Sequence, residues 1–444
     1  MEPSKALAER LWTEVDRTPV LDVHCHLRSE KPTADSLADI LLYHHLWIEL
    51  VSSGMPATEV SKAGLPHEVA DPGMPPEERV RRALPFLHNI RNTTLASFLR
   101  TMLEDLYGVP GGKLDESNWE KVFEAVARRA KDPEWEQRLF ERECGIERAI
   151  TVEHIPPLGE ARPYGGSRAK RTPRFEFGWE APDIFFRGRK GADRENLAGL
   201  ERSLGVELRD AKSYREGLTA AVEKVLARDV RFVGTWLPHN FALTDCSDAQ
   251  LAGILRRARK ATELSLEDRS RFSSYSLRVL FDALRGSPVR TVQVIMGAEV
   301  HRPHRSIACF GDELLRGMAR LFGECGDLHF SLSSASDLFT QDIAILAKHF
   351  PNVSVAGYWW HTLYPFYIRK SLETRLDIVP ANKIIAFFSD AYHAEWCYPK
   401  LRLVRRILAD VLAARVESGL YTEDIAVSLV KDLLHGNARR IYRL

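Results

Sequence analysis

From Gly145 to Phe388 short apolar runs alternate with stretches of helical spacing, and few folds accommodate that rhythm. The runs are Arg148–His154, Arg174–Gly178, Val230–Trp236, Val289–Met296, Leu328–Ser331, Val353–Tyr358 and Lys383–Phe388. Helical patterns lie between them at Tyr214–Arg228, Asp248–Leu264, Ser273–Leu284, Asp312–Phe322, Asp337–Lys348 and Ile368–Leu376, and again from Pro399 to Tyr442. An earlier run, Pro19-Val-Leu-Asp-Val-His-Cys-His-Leu27, brings the strands to eight. Alternation on this scale predicts an α/β fold, a parallel sheet closed as a (β/α)8 barrel of TIM type. An open doubly wound sheet is the other solution. It is disfavoured because no Gly-x-Gly-x-x-Gly or phosphate-cradling loop follows any strand.

The first and second strands are separated by residues 28–145, almost wholly helical in pattern. Ser36–Val51, Pro76–His88, Thr94–Leu106 and Ser117–Ala130 carry apolar residues at three- and four-residue spacing. That is too long for one crossover. It predicts a helical insertion over the barrel mouth, with residues 1–27 and 146–444 forming the barrel. The loosest stretches, Ala57–Pro75 and Pro157–Pro173, are rich in Pro and Gly.

A formal net charge of +1 provides no field to recruit nucleic acid or an anionic membrane, so neither is expected as a partner. Six scattered cysteines include no Cys-x-x-Cys pair, and the N-terminus lacks a signal peptide's apolar core. A cytoplasmic enzyme acting on a small molecule, and a homo-oligomer, is the expectation.

Chemistry in such a barrel gathers at the C-terminal ends of the strands. Side chains alternate along a strand, so His24 and His26 share one face and Cys25 takes the other. Two imidazoles that close suit one divalent cation. Asp390, just past the eighth strand, is the natural third ligand, because a carboxylate there is buried with its charge unless a cation meets it. An Asp after a strand also serves as an N-cap, but two strands of one barrel independently present ligand-type residues. Other strand ends supply Glu153-His154, His239-Asn240, His301 with His304, Trp359-Trp360-His361 and Tyr392-His393. His329 and His349 lie away from strand ends and are expected to be structural.

These residues carry a family resemblance. The chain resembles uronate (glucuronate) isomerase, a branch of the amidohydrolase superfamily, as a divergent member. Leu21-Asp-Val-His-Cys-His-Leu27 is similar to that family's metal motif. Tyr43-His44-His45-Leu46-Trp47 through Gly54 resembles its Asp-His-Tyr-Lys-Trp segment. Arg91-Asn92, Leu106-Tyr107-Gly108-Val109, Trp359-Trp360, Ser389-Asp390 with Tyr398 and Arg405-Arg406, and Asn437-Ala438-Arg439 fall in step. The resemblance implies one divalent metal on His24, His26 and Asp390, expected to be zinc with manganese or iron as alternatives. It also implies a sugar acid interconverted between aldose and ketose forms. The proton moved between adjacent carbons needs a base near neutrality, for which Asp390, His44 and His45 are the candidates. Trp359, Trp360, Tyr392, His393 and Arg302 are the expected substrate contacts.

Three departures bear on the chemistry. The family's Tyr is His45 here, its arginine after the strand-eight Asp is Tyr392, and the histidine of strand five falls at Ile295. An arginine that faces an anion is not replaced conservatively by tyrosine. The metal site therefore carries over better than the isomerase chemistry. Ser389-Asp390-Ala391 and Gly436-Asn437-Ala438 also resemble a second branch that hydrolyses or decarboxylates small carboxylates. A metal-dependent hydrolase or decarboxylase of a small carboxylate, amide or lactone is the alternative, with His239, His301 or His304 as a further ligand for hydrolysis. Arg302, Arg305 or the basic run around Arg171 could replace the missing cation.

Overall fold

The computed structural model describes residues 5–60, 73–153, 174–181, 193–237, 241–260, 263–301, 305–308 and 311–444. Ten strands are present among them: β1 (Val20–Cys25), β2 (Ile146–Glu153), β3 (Phe175–Glu180), β4 (Val233–Trp236), β5 (Thr291–Met296), β6 (Ala298–His301), β7 (Arg305–Ala308), β8 (His329–Ser334), β9 (Val353–Ala356) and β10 (Ile384–Ile385). Eight form one curled sheet in the order β1-β2-β3-β4-β5-β8-β9-β10, each neighbour pair parallel. Helices intervene as the alternation predicts, and the sheet is that of a (β/α)8 barrel. No helix among the described residues is long and apolar enough to cross a membrane.

Helices α1 (Lys5–Arg17), α2 (Leu37–Leu41), α3 (His44–Ser52), α4 (Pro76–Leu87), α5 (Thr94–Tyr107), α6 (Trp119–Ala130) and α7 (Trp135–Arg138) precede β2. The single helix expected over Ser36–Val51 is broken at Leu42–Tyr43. There the Tyr43 ring stacks on Trp396 and its hydroxyl donates to the Asp390 carbonyl, so tertiary contacts override the local pattern. Between later strands run α8 (Asp193–Leu204), α9 (Ala211–Leu226), α10 (Asp248–Arg259), α11 (Leu266–Leu284), α12 (Asp312–Glu324), α13 (Thr340–His349) and α14 (Pro365–Ile378). The chain ends in α15 (Cys397–Glu417), α16 (Glu423–Lys431) and α17 (Asn437–Tyr442). Neither α8 nor the β6–β7 hairpin was expected. The hairpin arises because Gly297 turns at φ +85°, where a Cβ would lie 2.7 Å from Ser334 Oγ, and redirects the chain after β5.

The last strand is shorter than its apolar run. Only Ile384 and Ile385 pair with β9, because the Ala386 amide turns to the Leu433 carbonyl and the Asn437 amide donates to the Ile384 carbonyl. The C-terminal segment therefore occupies the seam between β10 and β1 at the barrel floor. At the mouth the seam closes differently: Asp390 N donates to His24 O at 3.0 Å and His26 N to Ala391 O at 2.8 Å.

Apolar side chains form two clusters. The larger lies between the sheet and its helices, and the smaller fills the barrel, including Leu21, Val23, Phe232, Ile295, Phe388 and Tyr442. The helices before β2 are pinned by the buried Glu395 carboxylate. It accepts from the Ala34 amide, the Tyr107 hydroxyl and Trp135 Nε1 at 3.0–3.3 Å. Removing it as Glu395→Ala leaves three donors in a dry site, and chemical denaturation is expected to show a loss of about 2–4 kcal/mol.

His329 opens β8 and bonds Ser354 Oγ at 2.9 Å. Burial, with Arg440 and Lys383 nearby, lowers its pKa to about 4. Between that value and the unfolded value near 6.5 the unfolded chain holds the extra proton, so stability falls as the pH drops through this window. His329→Gln is expected to flatten the acid limb of the stability curve by about 1–2 kcal/mol relative to wild type, measured by denaturation from pH 7 to pH 4.

Candidate metal centre

Strand β1 does not alternate regularly. Asp22 pairs with Ala149 and Cys25 with Thr151, so β1 carries one extra residue across that interval. Such a bulge re-aims side chains. Leu21 and Val23 pack in the barrel interior below it, and above it His24 faces the same interior, against Phe232 and Phe388. Cys25 lies on the other face, its thiol on the Ile150 carbonyl. The backbone group freed by the bulge is met by a side chain: Asp22 Oδ1 accepts from the His24 amide at 3.3 Å and from the Ser389 amide at 2.9 Å. Asp22 is fully buried, and burial pushes its pKa up against those bonds.

Asp390 follows β10 with φ at +56°, a left-handed conformation that Asp tolerates better than most residues and that costs of order 1–3 kcal/mol. The turn is held in place from behind. Lys400 Nζ donates to the Ser389 carbonyl at 3.0 Å and lies over the Phe388 ring, with its pKa lowered to about 8 by burial. Room for Phe388 depends on Gly357, where a Cβ would lie 2.2 Å from that ring. Gly178 makes the same allowance for Phe232. The two rings flanking His24 each rest on a missing side chain.

This scaffold brings His24 Nε2 to 3.5 Å and His26 Nε2 to 3.2 Å from Asp390 Oδ1, with all three donor atoms within 4.8 Å of one another. The imidazoles stand edge to face, 5.1 Å between centroids. Donors about 2.0–2.1 Å from a tetrahedral ion lie about 3.3 Å apart, so the set of two nitrogens and one oxygen fits a single divalent metal. Burial alone would raise the Asp390 pKa, but His24 and His26 draw it well below the usual carboxylate range. The same attraction raises that of His24 against its burial. A divalent cation held between them would displace the proton that this pair attracts.

A continuous series of rings leads from the ligands to α3. Tyr392 stacks on His26 (4.7 Å, 17°) and meets His44 edge-on at 5.2 Å. His44 and His45 are 4.0 Å apart, and His45 touches Trp360 at 5.9 Å. Trp360, held at φ +47°, joins Trp359 and Trp236 in mutual edge-to-face contact. Adjacent residues on a helix point about 100° apart, yet these two imidazoles pack together at the start of α3. His393 is buried, its Nδ1 without a hydrogen-bond partner among the described residues.

Of the residues singled out from sequence, His24, His26, Asp390, His44, His45, Tyr392, Trp359 and Trp360 therefore come together. His154, His239, Asn240, Arg302, His304 and the basic residues Arg168, Lys170, Arg171, Arg187, Arg189 and Lys190 lie outside the described residues. Four contributors were not anticipated: Asp22, Gln293, Lys400 and Trp236. Asp22 and Gln293 carried a signal, since each is a polar residue inside an apolar strand. Gln293 Oε1 meets His24 Nδ1 at 2.8 Å.

The chain is 22% identical to a uronate isomerase of Phenylobacterium zucineum, an alignment that spans 99% of this chain and 94% of the relative. The solved uronate isomerase of Thermotoga maritima superposes with a TM-score of 0.81 over 99% of this chain and 98% of that one, at 16% identity. Glucuronate isomerase from Caulobacter crescentus gives 0.81 over 100% and 95%, at 19% identity. No family model matches. These likenesses establish a shared fold along the full length.

His24→Ala and Asp390→Ala are each expected to reduce bound metal from about one equivalent to below about 0.1. Elemental analysis of the purified variants decides it, and wild-type metal content in either would remove that residue from the ligand set.

Proposed function

We propose that this chain, a divergent relative of the uronate isomerases, interconverts aldose and ketose forms of a sugar acid at a mononuclear metal centre. The observation that carries the reading is the convergence of His24, His26 and Asp390 at the ends of the first and last strands, beside His44. A nitrogen-rich set with one carboxylate and no thiolate suits zinc, with manganese or iron as alternatives. Held there, a divalent ion supplies Lewis-acid polarisation of a substrate carbonyl or hydroxyl.

The remaining work falls to side chains. A proton has to leave one carbon and return to its neighbour, which calls for a group whose proton affinity lies near neutrality. An imidazole matches that better than Asp390, whose carboxylate is held well below the usual range. We assign the transfer to His44, with His45 packed against it and Asp390 as ligand and acceptor. Trp359 and Trp360 form the wall against which a sugar chain would lie, and the helices of residues 28–145 serve as the lid. The described cysteines are free thiols, which supports a reducing compartment.

Tyr392 occupies the place of the family's arginine and lies flat on His26. Its hydroxyl cannot match a bidentate arginine–carboxylate pair, and Lys400 is turned to the Ser389 carbonyl. The favoured substrate therefore carries a neutral or differently placed polar group at that end.

A screen of uronates with zinc-loaded protein, following ketose formation, tests the reaction. Acid release from lactones without ketose formation would replace it with the hydrolase reading. On D-glucuronate and D-galacturonate kcat/KM is expected below about 10⁴ M⁻¹s⁻¹, and a higher value would show that Tyr392 does the arginine's work. His44→Ala is expected to lower kcat by about 10²–10⁴-fold on the best substrate with metal content unchanged. An undiminished kcat would exclude it as the base.

A further inference from the structure

The C-terminal helix reaches the metal centre from below. In α17 and its approach, Ala438, Ile441 and Tyr442 belong to the apolar cluster inside the barrel, and Tyr442 is 1% exposed. Thr291 Oγ1 donates to the Ile441 carbonyl at 2.8 Å, and Arg443 Nη1 to the Pro288 carbonyl at 2.9 Å, which ties the chain end to the start of β5. The Tyr442 hydroxyl is therefore carried up the barrel axis to Gln293, on the strand where the family resemblance anticipates a histidine two residues later.

The protons in this cluster are determined by which groups can only accept. Gln293 Nε2 lies 2.7 Å from the Val23 carbonyl, a pure acceptor, so the amide nitrogen faces that carbonyl. Its second proton goes to the Tyr442 hydroxyl at 2.8 Å, and that hydroxyl donates to Ser331 Oγ at 3.0 Å. The amide oxygen is then the atom facing His24 Nδ1 at 2.8 Å, and an oxygen there requires a proton on Nδ1. Nε2, the atom aimed at Asp390, is then the nitrogen through which His24 would bind a metal, in place of the proton that Asp390 attracts there. A flipped amide would set its nitrogen against His24 and its oxygen against the Val23 carbonyl, two acceptors face to face in a dry interior.

We infer that Gln293 is a positioning residue that locks His24 in its metal-ligating tautomer, and that Tyr442 holds Gln293 in the required orientation from the C-terminal helix. The inference rests on the reading that His24 binds metal, and extends it to residues that touch neither metal nor substrate. Hydrogen-bond partners of metal-bound histidines are worth about 10–100-fold in metal affinity.

Zinc affinity of the full chain, measured by competition with a chromophoric chelator, tests this, with the thermal midpoint of the metal-free protein as the folding control. Gln293→Leu is expected to weaken zinc binding about 10–100-fold. Gln293→Glu, which as the neutral acid donates to the Val23 carbonyl and still accepts from Nδ1–H, should keep it within about 3-fold of wild type. Tyr442→Phe, which deletes one hydroxyl, is expected to lose about 2–10-fold, and it carries the test should Gln293→Leu not fold. Histidine-selective ¹⁵N spectra of the metal-free protein give the readout that a general packing defect would not move. The His24 signal should report Nδ1–H in wild type and Gln293→Glu, and a tautomer mixture in Gln293→Leu. Wild-type affinity in both Gln293→Leu and Tyr442→Phe, in a protein that takes up zinc, would overturn the relay alone. A wild-type chain that takes up no zinc would overturn the metal reading with it.

Discussion

Two backbone hydrogen bonds, Asp390 N to the His24 carbonyl and His26 N to the Ala391 carbonyl, join the exit of the last strand to the end of the first. Everything at the site depends on this seam. The three candidate ligands come from the two ends of a chain section of more than three hundred residues, and only closure of the sheet sets them within reach of one another. The seam is held less by a ladder than by a buried carboxyl group. Asp22 receives the amides on both sides of it, and Lys400 holds the carbonyl of the same turn. A buried carboxylate with two amide donors is rigid because any movement leaves it unpaired in a dry interior. That rigidity holds Asp390 in its left-handed conformation against a cost of order 1–3 kcal/mol.

The helices before β2 meet the barrel through a second buried carboxylate. Glu395 gathers donors from three separated segments, and the Tyr43 hydroxyl reaches the Asp390 carbonyl itself. The start of α3 is thus referenced to the same turn that carries Asp390, which sets the His44 ring one tyrosine away from His26. Below, α17 fills the floor and reaches Gln293. The centre is braced from the seam, from the helices before β2 and from the floor, by polar contacts that pack among apolar residues.

Most of the architecture is legible in the sequence. The alternation of apolar runs and helical spacing specifies a barrel, because side-chain period and connection length leave few ways to bury eight strands. His24, His26 and Asp390 stood out because ligand-type residues at apolar strand ends are costly unless paired. The helices described between β1 and β2 were equally plain, since amphipathic spacing is a local property.

What the linear sequence withheld is whatever depends on two distant segments meeting. Strict alternation along β1 put His24 and His26 on one face correctly, but also predicted Leu21 and Val23 on the other. The bulge that places all four inside exists because Asp22 finds the Ser389 amide across the seam. The shortening of β10 follows from the C-terminal segment competing for the Ala386 amide and the Ile384 carbonyl. Gln293 was visible as a polar residue within an apolar strand, yet its partners lie at Val23, His24 and Tyr442, far away along the chain. Periodicity and residue chemistry are encoded locally and decide which elements form and which groups seek a partner. Which partner each group meets is decided by closure of the sheet, because only the closed barrel excludes the water that would otherwise satisfy them all.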